Sequence, residues 1–372
     1  MPPAPRRINP PPTREKLDYA DMAVIDLSKA QDAKGRADLA IQVSEAMQTL
    51  GFLYVINHGY TSSQTERIFD IADVLFSCVD SDEKRLYAAN TKVTGSHQGY
   101  KPRQSWHINN GVQDQLEHYA IHRNVTMRQH PEAIRPFLNE IEAFARHTHF
   151  NLRLLALGLE LPEETLVNLH GFSSVGETQG KISFLRQVVL PYLLDKARFI
   201  KYYPRSEDDE LKTKNVWLKG HTDIGSITVL YSQPIAALQM LGQGGKWKWV
   251  KHIENAVIIN AGDVMEFLSG GYYKATIHRV VQPPVDQRNH TRLGVFYFAL
   301  PDDNVQLVPF IESPVLQRVG IVRRYEDADA PTTEAWRKSR TSAYGYTQLK
   351  AADNGSGVEE ETINGVLVKH YN

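Results

Sequence analysis

The chain has 372 residues, a formal net charge of −1 and 42% hydrophobic residues. That is enough for one large β domain with helical additions, and the balanced charge gives no electrostatic footing for nucleic acid or an acidic membrane surface. The single cysteine, Cys78, excludes an intrachain disulfide and a thiolate metal cluster, which fits a reducing, cytoplasmic setting.

Residues 1–20, opening "MPPAPRRINPPPTREK", are basic and proline-rich, and are expected to form a disordered or loosely docked arm. They lack the apolar centre of a secretion signal, and no apolar run in the chain reaches the roughly 20 residues of a membrane span. "MAVIDLS" predicts a short strand. "RADLAIQVSEAMQTLG" predicts a helix, with Leu39, Val43, Met47 and Leu50 at helical spacing and Gly51 placed to end it. "FLYVINHG" predicts a second strand, and "SSQTERIFDIADVLFSCV" a second helix with Ile68, Ile71, Leu75 and Phe76 on one stripe. Residues 90–115 are polar and glycine-bearing and predict a loop; His97, His107, His118 and His122, in or near it, are expected at the surface. A long helical region is expected over 131–158.

Beyond residue 180 the pattern changes to short β-like runs, among them "ARFIKYYP", "SITVLYS", "AVIIN", "KATIHRVV" and "RLGVFYFAL", separated by turn-like segments. Helices followed by many short strands predict a mainly β fold with flanking helices, packed as a helical layer on a sandwich or barrel. The divisions are the arm (1–20), a mostly helical region (21–175), a β core (176–310), and a C-terminal helical extension with a polar tail (311–372), all one integrated unit.

The chemistry concentrates in "LKGHTDIGSITVL". His221 and Asp223 are two apart, so in an extended segment both side chains face one side. His278, in "YKATIHRVV", is the best third ligand from a neighbouring strand. Two imidazoles and one carboxylate leave coordination positions open. That suits ferrous iron in oxygen chemistry, but also hydrolytic zinc, and the ligands alone do not separate the two. Arg292 helps to separate them. It follows the "QPPVDQRNH" turn and shares a strand face with Gly294, Phe296 and Phe298. An arginine on such an inward face is costly unless it holds an anion. An open metal site beside a guanidinium fork describes a chelating dicarboxylate and points to 2-oxoglutarate.

These motifs, "HTDIGSITVLYSQPIAALQ", "NAGDVMEFLSGGYYKATIHRVV" and "RLGVFYF", together with "AVIDLS", "GFLYVINHG" and "SDEKRLY" nearer the start, resemble the iron(II)/2-oxoglutarate-dependent dioxygenases of the isopenicillin N synthase-like subgroup. The resemblance spans about residues 22–300. It implies a double-stranded β-helix (jelly-roll) core, Fe(II), 2-oxoglutarate and dioxygen. It makes His221, Asp223 and His278 the metal ligands and Arg292 the cosubstrate clamp, with Tyr203 in "FIKYYP" matching a tyrosine that bonds the cosubstrate. Two positions depart from the pattern: Gly294 stands where the family has serine, and Lys201 where it often has asparagine.

The implied activity is oxygenation of a small organic molecule, in secondary metabolism, by hydroxylation, desaturation or oxidative ring closure through a ferryl intermediate. No catalytic group beyond the metal ligands is implied. An isopenicillin N synthase-like oxidase that does not use 2-oxoglutarate, and a non-catalytic metal-dependent ligand-binding protein, are the competing readings. Candidate substrate contacts are Arg186 and Phe184, on one face of "KISFLRQVV", together with Trp106 and Phe298. Arg186 either meets a polar substrate group or pairs with a buried acid. The aromatic C-terminal stretch around Trp336 and Tyr344 is expected either to cover the site or simply to pack on the barrel. The oligomeric state is not legible.

Overall fold

The computed structural model describes residues 2–147, 151–171, 196–343, 350–351, 358–363 and 366–371. Its strands, in chain order, are β1 (Val24–Asp26), β2 (Phe52–Ile56), β3 (Gly99–Lys101), β4 (His107–Asn109), β5 (Val112–Gln113), β6 (Leu116–His122), β7 (Lys196–Tyr202), β8 (Val216–His221), β9 (Ile227–Tyr231), β10 (Leu238–Leu241), β11 (Trp247–Trp249), β12 (Val257–Ala261), β13 (His278–Val281), β14 (Arg292–Ala299), β15 (Lys350–Ala351), β16 (Val358–Ile363) and β17 (Val366–Tyr371). They form a sheet in the order β1-β2-β12-β9-β14-β7-β6-β3, a second in the order β11-β10-β13-β8-β17-β16-β15, and the small pair β4-β5. Apart from β1 with β2, the pairings between these strands are antiparallel. The core is a jelly roll.

Period-two alternation fixes which side chains enter the site. In β14, Leu293, Val295, Tyr297 and Ala299 face the large apolar core, and so do Ala197 and Phe199 of β7, Val229 of β9 and Ile259 of β12. The intervening residues face the second sheet. The helices build the outer layer on that large core. Helix Ala33–Thr49 buries Leu39, Val43 and Met47; Asp32 caps its start, and Gly51 leaves its end at φ +65°. Helix Ser62–Ser77 begins with a Thr61–Gln64 capping box and buries Ile68, Ile71, Leu75 and Phe76.

Several expectations change. The N-terminal arm is tied along its length: Arg7 N–H donates to Asp70, Thr13 and Arg14 N–H donate to Asp286, and Gln287 donates to the Pro11 carbonyl. The region expected to be mostly helical contributes strands as well. Within 90–115 lie β3, β4 and β5, and β6 just beyond is buried throughout. His97, His118 and His122 are buried rather than exposed, whereas His107 is exposed. Of the expected helix over 131–158, the described residues form a 3-10 turn (Glu132–Phe137) and the helical stretches Leu138–His147 and Asn151–Gly158. The polar tail beyond the helix Thr333–Ala343 is a strand hairpin that joins the second sheet through β17, with Val366 and Val368 buried on one face. Arg186, Phe184 and Tyr344 lie outside the described residues. Trp336 packs edge-on against Phe267, 5.0 Å away, in a buried apolar cluster.

Candidate metal and cosubstrate site

The two sheets enclose a pocket of about 1130 Å³, its open mouth included. Its wall carries His221, Asp223 and His278, whose candidate ligand atoms all lie within 4.8 Å of one another. The pairing of β8 with β13 sets His221 directly opposite His278, and their rings are 4.6 Å apart. Each imidazole Nε2 is 3.8 Å from an Asp223 oxygen. Each Nδ1 lies against a backbone carbonyl, that of Lys219 for His221 at 2.7 Å and that of Thr276 for His278 at 3.1 Å. A carbonyl can only accept, so Nδ1 carries the proton and Nε2 presents its lone pair inward, as a metal ligand requires.

Burial, reinforced by His278, pushes His221 down to about 3, so its ring is neutral and available near neutral pH. Burial opposes the charge of Asp223, but the adjacent imidazoles and two hydrogen bonds outweigh it and lower its pKa. Those bonds come from Thr228 Oγ1 at 2.6 Å and Asn260 Nδ2 at 2.8 Å, both to Oδ2. Two more residues hold the segment between the ligands. Asp263 N–H donates to the Asp223 carbonyl at 2.8 Å. Arg340 donates to the Thr222 carbonyl at 3.0 Å and to Asp263 Oδ2 at 3.1 Å.

Arg292 lies on the same pocket wall, 3% exposed, with Nε and Nη1 buried and lacking any protein acceptor. Burial pushes its pKa down. A buried guanidinium with two orphaned donors fits a carboxylate ligand, and two imidazoles with one carboxylate fit ferrous iron.

The structure corrects one expected contact. Tyr203 is on the helix-facing side of its strand, where its hydroxyl donates to Glu117. Tyr202, directly opposite Arg292 in the β7–β14 pairing, is the tyrosine in the pocket wall, its ring 5.5 Å from the guanidinium. The reason is the period of two: adjacent residues of a strand cannot share a face. Lys201 also faces outward and pairs with Asp73 at 2.8 Å, so that departure from the family pattern does not touch the pocket. Gly294 does. A Cβ there would meet the Phe296 ring at 2.3 Å, so the ring fills the space a serine would need. Trp106 and Phe298 line the pocket.

The sequence reading missed Thr228, Asn260, Asp263, Arg337 and Arg340, together with Lys196 and Arg198 of β7. The β7 pair was findable, since Lys196, Arg198, Ile200 and Tyr202 alternate in "KARFIKY".

Comparison with known proteins agrees with this geometry. Residues 194–301 match the model of the 2OG-Fe(II) oxygenase superfamily, and residues 22–140 match that of the non-haem dioxygenase in morphine synthesis N-terminal region. Scopoletin 8-hydroxylase of Arabidopsis thaliana is 26% identical over 322 residues, 85% of this chain and 80% of its own. Naringenin,2-oxoglutarate 3-dioxygenase of the same plant is 24% identical, covering 78% of this chain and 74% of its own. Among solved structures, a full-length Neurospora crassa protein in complex with alpha-KG superposes with a TM-score of 0.71 at 20% identity, over 89% of this chain and 100% of its own. JOX2 in complex with 2OG, Fe and JA gives 0.65 at 21%, over 90% and 89%. No helix among the described residues is long and apolar enough to cross a membrane. The chain belongs to the 2OG-Fe(II) oxygenase superfamily and is an oxidoreductase, a dioxygenase that uses Fe(II), 2-oxoglutarate and dioxygen.

Proposed function

We propose that His221, Asp223 and His278 hold the ferrous ion, that Arg292 anchors the distal carboxylate of 2-oxoglutarate beside Tyr202, and that the remaining pocket takes a small organic substrate. The observation that carries this reading is the pairing of a three-ligand cluster with a buried arginine whose Nε and Nη1 lack acceptors among the described residues, in one pocket. Bound there, iron with 2-oxoglutarate and dioxygen supplies the power to oxidise a C–H bond while the cosubstrate is decarboxylated to succinate.

The chain's own part is geometry. The Lys219 and Thr276 carbonyls fix the imidazole tautomers, and Thr228 and Asn260 fix the carboxylate. Phe52, Leu230, Phe296 and Phe298 give the pocket apolar walls that exclude water around a reactive oxidant. Substrate positioning then chooses among hydroxylation, desaturation and ring closure. The names of scopoletin 8-hydroxylase and naringenin,2-oxoglutarate 3-dioxygenase support a small organic substrate and a place in secondary metabolism. A reducing cytoplasm, where ferrous iron persists, suits the same reading.

The test is an anaerobic titration of the iron-loaded protein with 2-oxoglutarate. A visible charge-transfer band from the chelate is expected, and its absence at millimolar cosubstrate overturns the assignment.

A further inference from the structure

The helix Thr333–Ala343 turns two arginines into the same pocket. Arg337 and Arg340 are three apart, hence on one helix face, and are 3% and 2% exposed. Neither fork is fully used by the protein. Arg337 donates to the Gly95 carbonyl at 2.6 Å and reaches Asp303 at 3.4 Å, but its Nε is buried with no acceptor. Arg340 serves the Thr222 carbonyl and Asp263, and its Nη1 is buried with no acceptor. Lys196 and Arg198 of β7 line the same pocket, with the Arg198 guanidinium 4.6 Å over the Phe298 ring. Among the described residues, Asp223 is the one acid in the pocket wall, and its charge belongs to the metal site.

These cations are set apart from Arg292. Arg292 pairs with Tyr202, whereas Arg198 is four residues further along β7, roughly 13 Å at the rise of a strand. Lys196 is opposite Phe298, which is opposite Thr228, the residue bonded to Asp223. Arg340 reaches the backbone between two candidate ligands. The second group of cations therefore lies level with the metal cluster, and Arg292 lies at the far end of the sheet. Between and around them the wall is apolar, with Ile200, Leu218, Phe298 and Leu300.

We propose that the substrate is an organic acid with an apolar body, whose carboxylate is held by the unfilled donors of Arg337 and Arg340 while Arg292 holds the cosubstrate. This rests on the function proposed above. Guanidinium forks match a carboxylate bidentately, and a buried donor without an acceptor is costly until an anion fills it.

The test is anaerobic calorimetric titration of protein loaded with ferrous iron and saturating 2-oxoglutarate. The probes are phenylacetate, 3-phenylpropionate and 4-phenylbutyrate, each against its primary amide. At least one acid is expected to bind about tenfold or more tighter than its amide. Arg337→Gln is expected to erase most of that preference, and Arg337→Lys, which keeps the charge, to retain part of it. Equal affinities for acids and amides, no measurable binding of any acid, or a preference untouched in Arg337→Gln would overturn the proposal. The visible band of the iron–2-oxoglutarate chelate is recorded first in the wild type. Its absence counts against the proposed function, whereas an intact band with flat acid–amide selectivity counts against the acidic substrate alone.

Discussion

At the scale of single residues, the donors of Arg292 and the space above Gly294 make opposite demands. Arg292→Gln removes the cation that the proposed cosubstrate pairs with, in a buried position. The expected loss in 2-oxoglutarate affinity is about 2–5 kcal/mol, roughly 30-fold or more, read from the midpoint of the charge-transfer titration. Gly294→Ser would restore the hydroxyl usual in the family, yet it is expected to weaken cosubstrate binding, because the new Cβ lies where the Phe296 ring now sits. Gly294→Ser combined with Phe296→Leu is expected to recover much of that loss. Equal binding by the wild type and the single variant would mean that the ring yields freely. The residue scale is also where the sequence was most readable. His221, Asp223, His278 and Arg292 could be singled out because the four occur together, in order, each interrupting an apolar β pattern. Tyr202 could not be told from Tyr203 by spacing, since that choice depends on strand register against β14.

At the scale of elements, the helix Thr333–Ala343 acts on the metal site through one side chain. Arg340 spans the Thr222 carbonyl and Asp263, and so holds the short segment joining His221 to Asp223. Arg340→Ala is expected to cost about 10- to 100-fold in ferrous affinity, the usual effect of losing a group that orients metal ligands, with Arg340→Lys in between. Competition with a calibrated chelator measures it, and unchanged affinity in Arg340→Ala would remove the helix from any positioning role. Element type was legible wherever one face is apolar and the other wet, as in the helices Ala33–Thr49 and Ser62–Ser77. It was illegible in β6, which is buried throughout yet carries Glu117, His118 and His122. Glu117 is accommodated by Lys84 at 3.1 Å and by Tyr203, contacts between distant parts of the chain that no local pattern announces.

At the scale of the whole molecule, buried histidines govern the response to acid. His170 is fully enclosed, between the Leu166 carbonyl and the Ser226 hydroxyl, and burial pushes it down to about 4. Its ordinary value when unfolded is near 6.5, so the unfolded chain takes up the proton first. Stability is therefore whole above about pH 6.5 and falls as the pH drops towards 4, by about 3 kcal/mol from this group alone. His97 and His118, also buried, shift in the same direction. Urea midpoints at about pH 7.5, above that window, and about pH 4.5, near its lower end, should differ less in His170→Gln than in the wild type; an identical difference would refute the account.

The pairing of β17 with β8 sets a timetable as well as a shape. A ribosome makes the strand bearing His221 long before it makes the strand that meets it at Gly220. Until then the edge of β8 at Gly220 lacks that neighbour. Newly made protein should therefore acquire iron late, after β17 has docked beside β8.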